Sequence, residues 1–172
     1  HSFNSVRKAF SMNVDTVGEY TRHCQMCFLL LEVPRYHKNL KVQSRDSKKI
    51  YAVDTGLRNA NTASLSEDHG LLAENIVAVE LRRRGLDTYY FKETGEVDFV
   101  TVESNKPTQA IQVCYDNLTN EKTKAREVNS LLECLEFLKL NQGTILTLNV
   151  DQTETVGKKQ IRYVPLYKWL TQ

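Results

Sequence analysis

The chain has 172 residues, of which 41% are hydrophobic, and its 23 Lys/Arg against 21 Asp/Glu leave a net charge of +2. That length supports one full hydrophobic core and a small second one. No apolar run approaches the roughly 18 residues of a membrane span, and the start lacks the basic-then-apolar pattern of a secretory signal. A cytoplasmic protein without a membrane partner is therefore expected.

The four cysteines, Cys24, Cys27, Cys114 and Cys134, show no disulfide framework and read as reduced, buried structural thiols. Cys24-x-x-Cys27 beside His23 is a zinc-like fragment, but no second pair stands at ligand spacing. Charge is unevenly divided. Residues 1–56 hold nine Lys/Arg against five Asp/Glu, and the remainder holds 14 against 16. A basic N-terminal end suits a nucleic-acid footprint, and a solvated surface is the plainer alternative.

Taken in order, Phe3, Val6 and Phe10 recur at helical spacing before the breaker Ser11-Met12-Asn13. Thr16-x-x-Glu19 then forms a capping box for a second helix. Its apolar stripe is Val17, Tyr20, Cys24, Cys27, Phe28 and Leu31, and it should end before Pro34. A strand at 29–33, a polar basic tip from Arg35 to Lys49 and a strand at 50–53 make a hairpin. Two short helices followed by a hairpin describe a winged helix over 1–56, with candidate DNA contacts at Arg22, Lys38, Lys41, Arg45, Lys48 and Lys49. The order starts where the second helix of a three-helix unit would stand, so a longer parent protein is expected. Such a fold also serves for packing or protein contact.

A polar connection at 58–68 precedes a helix carrying Leu71, Leu72, Ile76, Val77, Val79 and Leu81, closed by Arg82-Arg83-Arg84 and Gly85. Strands follow at 86–91, 97–102 and 110–115, separated by Thr94-Gly95 and by Ser104-Asn105-Lys106-Pro107. Residues 123–140 form an amphipathic helix. A buried strand at 144–150, a polar tail at 151–160, a short strand at 161–164 and a terminal helix at 166–170 complete the chain. The expected class is α/β: a winged helix-turn-helix, then a second α/β domain over 57–172.

The chemistry concentrates at Glu96-Val97-Asp98-Phe99. Period-two alternation puts Glu96, Asp98 and Val100 on one face and Val97, Phe99 and Thr101 on the other. Gln112 and Cys114 share a face of the next strand. If the strands are neighbours, Asp98 and Gln112 converge, and Glu74 from the preceding helix reaches the same edge. Two carboxylates meet the minimum for Mg²⁺ or Mn²⁺, which there would orient water and stabilise charge on a scissile phosphate. A solvated strand face with an exposed helical acid is the competing reading. No Gly-x-x-x-x-Gly-Lys-[Ser/Thr] occurs, so ATP has no P-loop site in these residues.

Four motifs carry a resemblance: Lys49-Ile50-Tyr51-Ala52-Val53-Asp54-Thr55-Gly56-Leu57, Leu72-Ala73-Glu74-Asn75 continuing to Arg84-Gly85, Glu96-Val97-Asp98-Phe99, and Ile111-Gln112-Val113. Together they resemble the uncharacterised C-terminal domain that follows the ATPase core in many prokaryotic AAA-type ATPases. That domain is similar in fold to PD-(D/E)XK (restriction-endonuclease-like) nucleases, with a winged helix between it and the ATPase core. The resemblance implies Glu74 as the helix acid, Asp98 as the metal-binding aspartate, and Gln112 and Cys114 where an active nuclease has its paired acid and lysine. Glutamine keeps a carbonyl oxygen but no charge, and cysteine supplies no cation. Losing one such electrostatic group costs about 10²–10³ in rate. Lys122 or Lys124 is the candidate replacement. The implied function is an accessory region of an ATPase, DNA-associated, with a degenerate metal-dependent phosphodiesterase site at Glu74, Asp98 and Gln112. The implied partners are DNA and the ATPase core, with ATP on that core. The rival is a non-catalytic protein-interaction or oligomerisation scaffold.

Overall fold

The structure, a computed structural model, describes residues 3–61, 69–115, 118 and 120–172. Helices α1 (Phe3–Phe10) and α2 (Val14–Met26) meet at a turn in which Ser11 adopts φ 52°. The expected capping box at Thr16 is not used. Asn13 caps α2 instead, its Oδ1 accepting the Asp15 N–H at 3.1 Å, because a short polar side chain just before the first turn reaches that orphan donor. Of the α2 stripe, Val17 is buried, whereas Tyr20, Met26 and Phe28 are 60%, 67% and 75% exposed. Cys27 is exposed and Cys24 half-buried, so only Cys114 and Cys134 are the buried thiols expected.

Strands β1 (Leu30–Pro34) and β2 (Lys48–Ala52) form the expected hairpin as an antiparallel two-stranded sheet. Its tip carries a short helix, α3 (Leu40–Arg45), capped by Asn39, which the polar composition of that stretch did not announce. Helix α4 (Thr55–Asn61) occupies the start of the expected polar connection, and residues 62–68 lie outside those described.

Helix α5 (His69–Arg83) ends as its cations and glycine foretell, with Gly85 at φ 72°. The left-handed conformation after a last turn favours a residue without Cβ. Strands β3 (Asp87–Lys92), β4 (Glu96–Glu103) and β5 (Lys106–Val113) form an antiparallel meander. The second turn is tighter than expected. Ser104 and Asn105 both take positive φ, and β5 resumes at once at Lys106, since a two-residue left-handed turn matches strand twist.

Helix α6 (Glu121–Leu138), capped by Asn120, crosses to β6 (Gln142–Thr147), which runs parallel to β5. The stretch read as a polar tail is a strand, β7 (Gln152–Val156), paired antiparallel with β8 (Lys159–Pro165) before α7 (Leu166–Leu170). Its Gln-Thr-Glu-Thr sequence sits at a sheet edge, where polar residues are usual. The six strands run in the order β3-β4-β5-β6-β8-β7.

Two buried clusters lie on the two faces of this sheet. One joins Ala73, Val77 and Leu81 of α5 to Phe99, Ile111, Leu146 and Trp169, and it includes Val33 and Tyr51 of the hairpin. The other joins Leu131, Cys134 and Leu135 of α6 to Phe91, Val97, Val100, Ile145 and Tyr163. Val33 and Tyr51 thus bring the hairpin into contact with the core of the sheet. The hairpin is also tied to the sheet edge, where the Tyr36 N–H donates to the Tyr90 carbonyl at 2.7 Å.

Strand β4 departs from strict alternation at the point that matters. Tyr89 pairs with Val100 and Phe91 with Val97, so β4 carries one extra residue between the two pairs. Val97 and Val100 thus share the α6 face while Phe99 takes the other. The expected grouping of Asp98 with Val100 is corrected by this bulge, which re-aims side chains locally.

Candidate functional site

The acidic centre forms where β2, β4, β5 and α5 meet, and its central group is a cation from the hairpin. Lys49 Nζ lies 2.8 Å from Asp98 Oδ1, 3.0 Å from Glu74 Oε1 and 3.0 Å from Glu96 Oε1. Tyr51, two residues along the same strand face, donates its hydroxyl to Glu74 Oε1 at 2.6 Å. The other Asp98 oxygen, Oδ2, accepts the Val113 N–H at 2.9 Å. Asn75, one residue after Glu74, pairs with both backbone groups of Ala52, at 2.9 and 2.8 Å, and so fastens α5 to β2.

Burial opposes the charge on Lys49, but the carboxylates of Asp98 and Glu74 outweigh it and raise its pKa. Burial raises Asp98 to about 6, with the Glu74 charge adding to the shift and Lys49 opposing it. Burial also pushes Glu96 upward, yet hydrogen bonds from Lys92 and Lys49 prevail and hold it below the usual carboxylate range. One ammonium among three carboxylates leaves like charges crowded together, and the most deeply buried acid bears that crowding.

Gln112 reaches the centre through the backbone. Its Oε1 accepts the Asp98 N–H at 3.1 Å, and its Nε2 donates to Glu127 Oε2 at 2.6 Å. Glu127 is buried and is held also by Arg126 at 2.6 Å. It is a functional-site neighbour that the sequence reading did not single out. The signal was present: Glu127 falls on the helix face of Leu131, Cys134 and Leu138, at spacings of four, three and four.

The sequence-derived candidates fall in several places. Glu74, Asp98 and Gln112 border one cleft of about 740 Å³, together with Glu96, Cys114 and Glu127. Lys49, grouped with the DNA contacts, is turned inward. Lys48 pairs with Glu32 at 3.1 Å, and Lys38 Nζ lies 5.4 Å from the Phe137 ring centre. Arg22 and Lys41 are exposed, and the side chain of Arg45 lies outside the described residues. Lys124 faces Glu154 at 3.4 Å and the Tyr163 ring, while Lys122 is exposed at the start of α6.

The donor set does not fit the divalent cation that the resemblance implies. Oxygens of Glu74, Glu96 and Asp98 are engaged by an ammonium, and the Gln112 carbonyl by a backbone N–H. Among the described residues no group of three His, Cys, Asp or Glu is spaced to hold a metal ion. Among those residues, too, no helix is long and apolar enough to cross a membrane.

Residues 1–68 match a family described as a domain of unknown function (DUF8612). An uncharacterized protein of Methanocaldococcus jannaschii is 35% identical over 162 residues, covering 88% of this chain and 34% of that protein. An uncharacterized protein of Haemophilus influenzae is 27% identical over 160 residues, covering 91% of this chain and 37% of that protein. The chain thus spans about a third of the length of these relatives. No solved structure matches it.

Proposed function

We propose that this chain is a DNA-associated accessory region of a AAA-type ATPase, built as a winged helix on a nuclease-like α/β domain whose own centre does not cut. The motifs of the resemblance support the nuclease-like part, and so does the order of a helix, an antiparallel meander, a crossover helix and a parallel strand. The matched relatives extend well beyond the aligned stretch, which leaves room in them for an ATPase core.

The observation that carries the absence of cutting is the Lys49 ammonium at 2.8–3.0 Å from Asp98, Glu74 and Glu96. Metal-assisted hydrolysis requires a cation with open positions for water and phosphate. An ammonium saturated by three carboxylates offers neither. Gln112, with both polar atoms engaged, adds no ligand.

Association with DNA rests on the basic N-terminal end, where, among the described side chains, the exposed candidates are Arg22, Lys38 and Lys41. The test is the affinity for a fluorescent duplex measured across salt concentrations. Affinity should fall steeply with salt, and replacing these three residues by Ala should reduce the log–log slope by about 0.9 for each lost phosphate contact. No binding at low salt would contradict the proposal.

One observation favours the rival, a protein-interaction scaffold. Phe10, Tyr20, Met26 and Phe28 expose apolar surface on and just after α1 and α2, where a purely phosphate-facing module would carry polar residues. A duplex affinity unchanged in the triple variant would select that rival.

A further inference from the structure

We propose that Lys49 permanently takes the place of a divalent cation in this centre, and that the β1–β2 hairpin is the strap that carries it there. The inference rests on the nuclease-like reading above and goes beyond it in two respects. It assigns the centre a structural purpose, and it makes the hairpin part of the α/β domain.

In a metal centre the cation neutralises carboxylates that would otherwise repel one another across a dry site. Here the same neutralisation comes from a side chain. Asp98 is buried, Lys49 and Glu74 keep only 18% and 16% of their side-chain surface exposed, and the three contacts of Lys49 are direct. The tetrahedral ammonium has three donors, and three carboxylate oxygens receive them. Nothing is left over for a substrate.

The arrangement around Lys49 fixes its strand. Tyr51 bonds the same Glu74 oxygen, its ring lies 5.6 Å from that of Phe99, and Asn75 holds the Ala52 backbone. Each contact joins the hairpin to α5 or β4. The ammonium therefore arrives by folding, without a metal being recruited, and the hairpin cannot swing away while the carboxylates remain charged.

The experiment combines a Mn²⁺ titration followed by electron paramagnetic resonance with denaturant unfolding, so cleavage plays no part in it and the nuclease-like reading stands or falls on separate observables. The parent should bind no Mn²⁺ at the centre, and chelator or Mg²⁺ should leave its unfolding unchanged. Lys49→Met strands buried carboxylates and should raise the unfolding equilibrium constant about 100-fold. Millimolar Mn²⁺ should recover about tenfold of that loss, and Lys49→Met/Asp98→Asn should show no such recovery.

Asp98-dependent binding of Mn²⁺ by the parent would overturn the inference. So would a Lys49→Met protein no more responsive to Mn²⁺ than the parent. Should Lys49→Met fail to fold, the parent decides alone through paramagnetic broadening of its Asp98 and Val113 amide signals: intact signals support the inference, and broadening that disappears in Asp98→Asn refutes it.

Discussion

Lys49 Nζ and Asp98 Oδ1 lie 2.8 Å apart although 49 residues separate them in the chain. This pair joins the hairpin to the bulged strand β4 and sets the charge state of the centre. A buried acid beside both a cation and further carboxylates should reveal itself in the pH dependence of stability.

Asp98 supplies the first prediction. Its folded pKa, about 6, is raised above the ordinary aspartate value of 3.8. The folded state therefore holds more protons than the unfolded state between these values. Its contribution is fully present below about 4 and is lost as pH rises through about 6. The stability difference between the parent and Asp98→Asn should shift in the parent's favour by on the order of 2–3 kcal/mol on going from pH 7 to pH 4. Urea unfolding of both proteins across that range measures it, and a flat difference would show that Asp98 is not strained by burial.

Gln112 supplies the second. Gln112→Glu, the change that would restore a nuclease-like acid, places a carboxylate against Glu127 in a buried pair now bonded at 2.6 Å. Like charges at that distance destabilise, and a buried donor is lost, so a cost of about 2–3 kcal/mol at neutral pH is expected. Glu127→Gln in the same chain should recover most of it. A Gln112→Glu protein as stable as the parent would contradict the bonding described.

Much of this was legible in the sequence. The cations and glycine ending α5, the three meander strands and α6 follow from period and punctuation, which are local properties. The bulge in β4 was not, because it is defined by pairing with β3 and leaves no mark on Glu96–Glu103 alone. Lys49 shows the same limit. A basic residue near a polar hairpin tip reads as a surface contact until three distant carboxylates are brought to it. Strand β7 was hidden by its polar edge composition, and the α2 stripe was over-read, since helical spacing of Tyr20, Cys27 and Phe28 does not say whether anything covers them.

A third prediction concerns Asn75, whose amide satisfies both backbone groups of Ala52. Asn75→Ala leaves these groups unpaired in a buried setting, at about 1–3 kcal/mol for each unsatisfied group. The loss should appear locally as well as globally. Amide exchange at Ala52 should accelerate far more than at Ile145 in the sheet interior, and equal acceleration at both would argue against Asn75 as the hairpin's anchor.

Glu80 gives a fourth. Hydrogen bonds from Arg83 and Arg84 hold its carboxyl near 2, and Arg84 stacks on Trp169 with 4.2 Å between the guanidinium carbon and the ring centre. A depressed folded pKa contributes stability above about 4.5 that is lost as pH falls toward 2. Glu80→Gln should therefore flatten the acid limb of the stability curve, opposite in sign to the Asp98 effect. Trp169 fluorescence reports both transitions, and an unaltered acid limb would remove Glu80 from the account.

The most direct measurement is the nitrogen-15 NMR signal of the Lys49 side chain in the intact protein at neutral pH. Enclosed by Asp98, Glu74 and Glu96, its ammonium should exchange protons slowly with water, give a resolved resonance apart from the exposed lysines, and lose that resonance's protection in Asp98→Ala. A Lys49 signal that merges with the solvent-exposed lysines, or that is unchanged in Asp98→Ala, would contradict the claim that the hairpin's lysine fills the acidic centre.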